Sequence, residues 1–479
     1  MPTLKTTPKP LPKLQVTLTI LIQATEALSA TVIFPFVPQF VQDTGITGGD
    51  ERKTGYYAGI LESIFFLAEF VSVYAWSRAS DVAALGRRPV VLLGPLGLAV
   101  AMFGFGVAES FLGLVVWRCA QGVFNGNIGV VKTVMAEIAD NSNLAQVMSL
   151  VPIAWSSGTT IGPIIGGLLS APSIAQRLRL GLLVRHPYLL PCGTVGVICL
   201  AIFLLAFVGL KETSPMALAR QRRARDKPAT LEPTEETSLL PHSAEARCSA
   251  LTPLDGNEDR MPNFRELLVP RLLIPLLNYG FFCFCQTAYQ VLLPLMYATS
   301  IHNGGLGLSP VQIGVIRGVW GILNTLSQLF LIARIITYLG PRKAYIAAFA
   351  SFVVCFGSFP VMSWVARRAG RVDKYVWAVL VVQSVANLGI SMLYASIQMF
   401  IVTSSPDPNA LSTTNSLAQM VSTIVRGLAP FAASALFAVS LEQAEVAGGQ
   451  LVYVVMLSVV GMGVYSSLFL PRVLVESAE

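Results

Sequence analysis

Twelve stretches of this sequence are apolar almost throughout, each about 20 residues long, the span of a bilayer's hydrocarbon core. They fall at roughly 14–38, 55–77, 89–108, 110–132, 145–170, 188–210, 270–297, 310–333, 341–364, 374–400, 411–440 and 449–470. In lipid every backbone polar group must find its partner inside the chain, so runs of this kind read as helices. Composition agrees. Of 479 residues 54% are hydrophobic and only 12% charged, with mean hydropathy +0.64, where soluble domains carry about 25% charged residues. The expected class is an all-α polytopic membrane protein.

Residues 1–13 are basic and proline-rich, and the run after them is too long for a signal-peptide core. The first run is therefore expected to stay as a helix behind a short N-terminal tail. Residues 211–269 are polar, charged and rich in proline, with little to bury, and read as a disordered cytoplasmic linker. They divide the chain into a six-helix bundle at 14–210 and another at 270–470, with a tail at 471–479. The halves echo each other: LGRRPVVLLG (85–94) follows the second run and LGPRKAYIAA (339–348) follows the eighth. Two pseudo-symmetric bundles of six are the layout of a transporter built from repeats.

Loop charge sets the orientation. Termini in the cytoplasm place Lys5, Lys9, Lys13, Arg78, Arg87, Arg88, Arg342, Lys343 and the basic linker inside. Arg177, Arg179, Arg185, Arg367, Arg368, Arg371 and Lys374 fall outside, and the inside total still leads by about two to one. The net charge of +7 follows from this bias, and no nucleic-acid partner is indicated. Cys119, Cys199, Cys283, Cys285 and Cys355 lie within apolar runs and no spacing suggests a zinc or disulfide framework. His186, His242 and His302 fall in loops, so no histidine relay crosses the membrane.

Three motifs carry a family resemblance. WSRASDVAALGRRP (76–89) resembles the loop pattern G-x-x-x-D-x-x-G-R-R, with Ser77 replacing the first glycine and four residues between Asp81 and Gly86. Arg118, Gln121 and Gly122 form a second motif in the fourth run. Gly158, Gly162, Pro163, Gly166 and Gly167 form a third in the fifth run. With these, the chain resembles the major facilitator superfamily, most closely the twelve-helix drug/H⁺ antiporter branch. The phrases GYYAGILESIFF, WSRASD, FNGNIGVVKTVMAEI and GPIIGG are similar to those of zinc-induced-facilitator-like proteins and fungal metabolite exporters.

The resemblance implies proton-coupled antiport of a small organic molecule by alternating access, by a monomer with no cofactor. Glycines four apart at 158, 162 and 166 share a helix face and admit a neighbouring backbone, and Pro163 lets the helix bend. Such a face serves either a seal between rocking bundles or ordinary packing. Asp81, Gly86, Arg87, Arg88 and Glu137 form a candidate cytoplasmic gate, with a solvated orienting loop as the alternative.

Ionisable residues inside a membrane run are costly unless paired or facing water. Glu26, Glu62, Glu69 and Arg118 are the candidates for proton coupling, with Arg118 as the switch and a glutamate as the carrier; the alternative is a fixed ion pair. Gln23, Asn125, Asn127, Gln286, Tyr289, Arg317, Asn324, Asn387 and Arg426 are candidates to line a substrate cavity, with interhelical packing as the alternative. Phe34, Tyr297, Trp320 and Tyr394 add aromatic surface suited to an amphiphile.

Two other classes compete. A nutrient uptake carrier is disfavoured because KETSP (211–215) stands where sugar porters carry P-E-S-P-R. A membrane enzyme is disfavoured because no nucleotide loop or metal-ligand spacing occurs, and no histidine-rich loop supports a zinc role. EETSLL (235–240) fits an acidic dileucine address, yet the plasma membrane is expected over the vacuolar membrane.

Overall fold

Every apolar run is helical in the computed structural model, which describes residues 12–82, 85–139, 144–171, 174, 181–214, 217, 218, 220, 270–404, 411–443 and 447–471. Most of the expected linker, EETSLL, Arg177, Arg179 and nearly all of both chain ends lie outside the described residues.

Helix α1 (Lys13–Thr31) bends through residues 32–36 into α2 (Val37–Asp43). Then come α3 (Thr54–Asp81) and α4 (Arg87–Val107). The fourth run is two helices, α5 (Phe111–Asn125) and α6 (Ile128–Ile138), broken at Gly126 and Asn127. Helices α7 (Leu144–Leu169), α8 (Gly181–Arg185) and α9 (Leu189–Gly209) complete the first half. The second half holds α10 (Pro270–Ala298), α11 (Pro310–Ser327), a π-helical turn (Gln328–Ile332) and α12 (Ala333–Leu339). It ends with α13 (Pro341–Ala369), α14 (Lys374–Thr403), α15 (Leu411–Glu442) and α16 (Leu451–Ser467). Among the described residues, eight helices are each long and apolar enough to cross a membrane. The expected crossings at α1, α5 with α6, α7 and α16 are also helical.

The internal echo is visible in atomic detail. Gly86 (φ 74°) and Gly340 (φ 78°) occupy the left-handed region and start α4 and α13. After each, an arginine reaches the end of the last helix of its own half: Arg88 donates to the Phe207 carbonyl and Arg342 to the Leu468 carbonyl, both at 2.5 Å.

Each half has its own core. In the second half Phe349, Phe352, Phe356 and Phe359 recur along one buried face of α13, and Phe359 meets Tyr289 and Tyr453. In the first, Phe36, Phe40, Phe105 and Tyr188 stack near the end remote from the termini. The Tyr188 hydroxyl donates to the Asp43 carboxylate. The outward face of α9 exposes Leu204, Leu205, Phe207 and Val208, a surface suited to lipid.

The halves meet where α3 packs on α15 and α7 on α11. Gly55 and Gly59 lie against Ser434 and Pro430, and the Ser63 hydroxyl accepts from the Phe431 amide at 3.0 Å. On the other seam Gly167 meets Gly314, Gly321 faces Thr160, and the Ser156 and Thr325 hydroxyls are 2.9 Å apart. On the first seam these residues lie toward the ends of α3 and α15 remote from the chain termini, and on the second they run from Gly167 and Gly314 distally to Ser156 and Thr325 at mid-run. Toward the terminal end, the described core clusters belong to one half or the other. The seam contacts hold the halves together at the distal end and at mid-helix.

Candidate functional site

Small residues let helices approach, and the same closeness holds charges away from lipid. In the first half α3 and α5 pack together and bury Glu62 against Arg118. The guanidinium donates to both Glu62 oxygens, at 3.1 and 3.2 Å, to Gln121 Oε1 at 2.7 Å and to the Ala30 carbonyl at 3.3 Å. The Phe65 ring covers it at 4.3 Å. Two helical turns beyond Arg118 on α5, Asn125 donates to Glu69 at 3.1 Å. Glu26 on α1 is buried, yet neither of its carboxylate oxygens has a hydrogen-bond partner. It lies in the electrostatic field of Glu69 and of Lys132 on α6. Gln23, one turn away, is buried with its Oε1 likewise unpartnered.

The second half supplies two further cations. Arg317 on α11 lies 5.0 Å over the Phe34 ring of the first half and donates to the Gln290 carbonyl at 3.3 Å. Arg426 on α15 lies in the field of Glu69 and beside Tyr279 and Cys283. A cavity within the second half is lined by Gln286, Tyr289, Gln290, Tyr297, Arg317, Trp320, Ser384, Asn387, Ser391 and apolar neighbours.

The expected cavity set therefore divides. Gln286, Tyr289, Arg317 and Asn387 share one cavity. Asn324 stands beside it, its amide oxygen accepting from Ser391. Arg426 faces Glu69 instead. Asn127 is corrected from cavity lining to packing: the break in the fourth run turns it onto α4, where it donates to the Val91 carbonyl at 3.3 Å and sits against Gly94. Tyr394 is exposed.

The glycine motif also divides. Gly158 and Gly162 face α1 and Gly166 faces the bend after it, all within their own half; of the motif's glycines only Gly167 stands on the seam between halves. At the terminal end, Arg87 pairs with Glu137 at 3.0 Å and donates to Ser80 at 2.9 Å. Both belong to the same half as Arg87. The side chain of Asp81 lies outside the described residues.

Four features escaped the sequence reading. Lys132 closes the fourth apolar run in the sequence, but α6 continues to Ile138. Gly314, Gly318 and Gly321, four and three residues apart, form a stripe on α11 against Gly167, Ile164 and Thr160. Glu212, within KETSP, accepts from the amides of Arg87 and Arg88 at 2.8 and 3.0 Å and caps α4. Glu51 bridges the halves distally, accepting from the Ser300 amide and hydroxyl and from Asn303 at 2.7–2.8 Å. Neither acid follows a spacing rule; each reaches its partners through the fold. Among the described residues no cluster of three potential metal ligands occurs.

Two half-bundles meeting around buried charges invite comparison with known transporters. The profile of the Major Facilitator Superfamily matches residues 19–430. The chain belongs to this superfamily. It is 30% identical to the major facilitator-type transporter psiT2 of Psilocybe cyanescens, over 99% of this chain and 93% of that one. It is 27% identical to the efflux pump azaK of Aspergillus niger, over 89% and 82%. Zinc Induced Facilitator 1 of Arabidopsis thaliana is 24% identical over 95% and 90%. The fold matches a bacterial homologue of the human lysosomal transporter Spinster in an inward-facing, occupied conformation (TM-score 0.65, 13% identity, 96% and 97% covered). The protein is thus an integral membrane transporter with relatives among fungal efflux pumps and zinc-induced facilitators, as the motifs implied. The enzyme alternative falls away.

Proposed function

We propose that this transporter is a proton-coupled exporter of small organic molecules, with its termini in the cytoplasm. On that orientation, taken from loop charge, the distal contacts between the halves close off the outside and the cytoplasmic end is the one proposed to open. Such a state receives substrate from within.

The observation that carries the coupling is the contrast between two buried carboxylates. Glu62 is held by Arg118, so it acts as the fixed counter-charge of this state. Glu26 has no hydrogen-bonding partner and can take up or release a proton without breaking an ion pair. Glu69 and Lys132 set the field in which it does so. When the halves rock, Glu26 changes its access from one side to the other and carries the proton inward as substrate moves out. Arg118 keeps its charge throughout at physiological pH.

The test is proton movement in proteoliposomes. Addition of a transported compound on the cytoplasmic face should drive protons the opposite way, and an imposed pH gradient should drive uphill transport. Movement of both in one direction would identify an uptake symporter instead; transport without proton movement would remove coupling. The plasma membrane is the proposed location, checked by imaging a tagged full-length chain.

A further inference from the structure

We propose that the cavity between α10, α11 and α14 is a subsite for the carboxylate of an amphiphilic mono-anion. The proposal rests on the transporter reading in taking this cavity as a resting place for substrate.

Arg317 and Trp320 stand three residues apart on α11, hence on one face, and both line the cavity. Arg317 forms no ion pair among the described residues; its polar contact is the Gln290 carbonyl and its other neighbour the Phe34 ring. Glu62, the acid in whose field it lies, is already engaged by Arg118. Trp320 Nε1 is buried with no acceptor. Two donors therefore meet one cavity, one cationic and one neutral, without an anionic acceptor. A buried unmet donor is costly, and a ligand that supplies the acceptor removes that cost.

The donor geometry selects the ligand. A guanidinium presents a planar fork that fits a carboxylate bidentately, and the indole N–H adds a third bond. No acidic side chain lines the cavity, which disfavours a cation, and Arg317 is its one cationic lining residue, which suits one negative charge rather than two. The remaining wall includes Tyr289, Phe352 and Ile390, which suits an apolar or aromatic body behind the charged end.

The probe pair is indole-3-acetate and indole-3-acetamide, alike in shape and different in charge, titrated calorimetrically into the purified full-length protein. The acid should bind about tenfold or more tightly than the amide, the ratio expected of one charge-assisted contact. Arg317→Gln should abolish that preference. Trp320→Phe keeps the ring, removes only the N–H, and should weaken the acid several-fold, which guards against misfolding of the first variant. Equal binding of the two probes, a preference that survives Arg317→Gln, or failure of both probes to bind overturns the proposal. Proton-linked flux of a neutral dye is measured in parallel. Acid preference without flux would spare this site and sink the exporter reading, and flux without acid preference would do the reverse.

Discussion

Arg118, Glu62 and Glu26 show how differently buried charges of one helical bundle are treated. Arg118 spends its donors on Glu62, Gln121 and a backbone carbonyl, whereas both Glu26 oxygens are unpartnered. Glu62→Gln leaves a buried guanidinium without its counter-charge, a loss of about 3–5 kcal/mol, and should lower the thermal midpoint of the purified protein. Glu26→Gln removes no bond and should leave the midpoint unchanged, sparing substrate exchange but abolishing its response to an imposed pH gradient. Uphill transport by that variant with an unaltered pH profile would make Glu26 structural. That these residues matter is legible in sequence, because a charge inside an apolar run is expensive wherever it lies. Which carboxylate Arg118 holds is not, since Glu26, Glu62 and Glu69 are all within reach of a helix whose rotation only packing decides. Lys132 escaped for a related reason: at the edge of an apolar run, a lysine is indistinguishable from one that reaches up to the membrane surface.

Helix α7 puts the same lesson at the scale of an element. The period of four places Gly158, Gly162 and Gly166 on one face, as read from the sequence, but spacing names no neighbour. The neighbour is α1. A Cβ on Gly158 would come within 2.6–2.8 Å of Ala27, Ala24 and Leu28, and one on Gly162 would strike Thr31. Gly162→Val should therefore destabilise the first half by about 1–3 kcal/mol, the usual cost of overpacking, seen as a lower thermal midpoint. Gly167 stands apart: its Cβ would lie 2.6 Å from Gly314 of the other half. Gly167→Val should leave the midpoint nearly intact while preventing tight distal closure, read as increased thiol labelling of a cysteine placed at Thr160. Full stability with lost transport in Gly162→Val would instead make the α1 contact a moving joint. At the start of α4, Glu212→Ala strips the acceptor from two amides and should cost about 1 kcal/mol, as removal of a helix cap does.

At the scale of the whole molecule, alternating access requires that the distal seal break as the terminal end closes. Most of that seal is apolar or small, made of Gly55, Gly59, Gly167 and Gly314 against their neighbours, and such surfaces separate without leaving a charge stranded. Glu51 is different. Its carboxylate takes three hydrogen bonds from Ser300 and Asn303 across the seam. It sits in a 3₁₀ turn, Glu51–Lys53, capped by Asp50, whose carboxylate accepts from the Arg52 amide and pairs with its side chain at 2.9 Å. Arg52 holds the Asp50 carboxyl below its ordinary range, so that group stays ionised as the pH falls through mildly acidic values and the turn keeps its cap. A hydrogen bond to a charged group is worth about 1.5–3 kcal/mol, so loss of even one moves a two-state balance about tenfold. Glu51→Ala removes three and should carry a large share of the population into the distal-open state. Glu51→Gln keeps the shape and one acceptor and should fall between. Spin labels on exposed positions of the two halves, Ile46→Cys and His302→Cys, would report the shift as a longer distance, graded Ala over Gln over Glu. The same distance in all three would mean that the glycine seams alone hold the distal end shut.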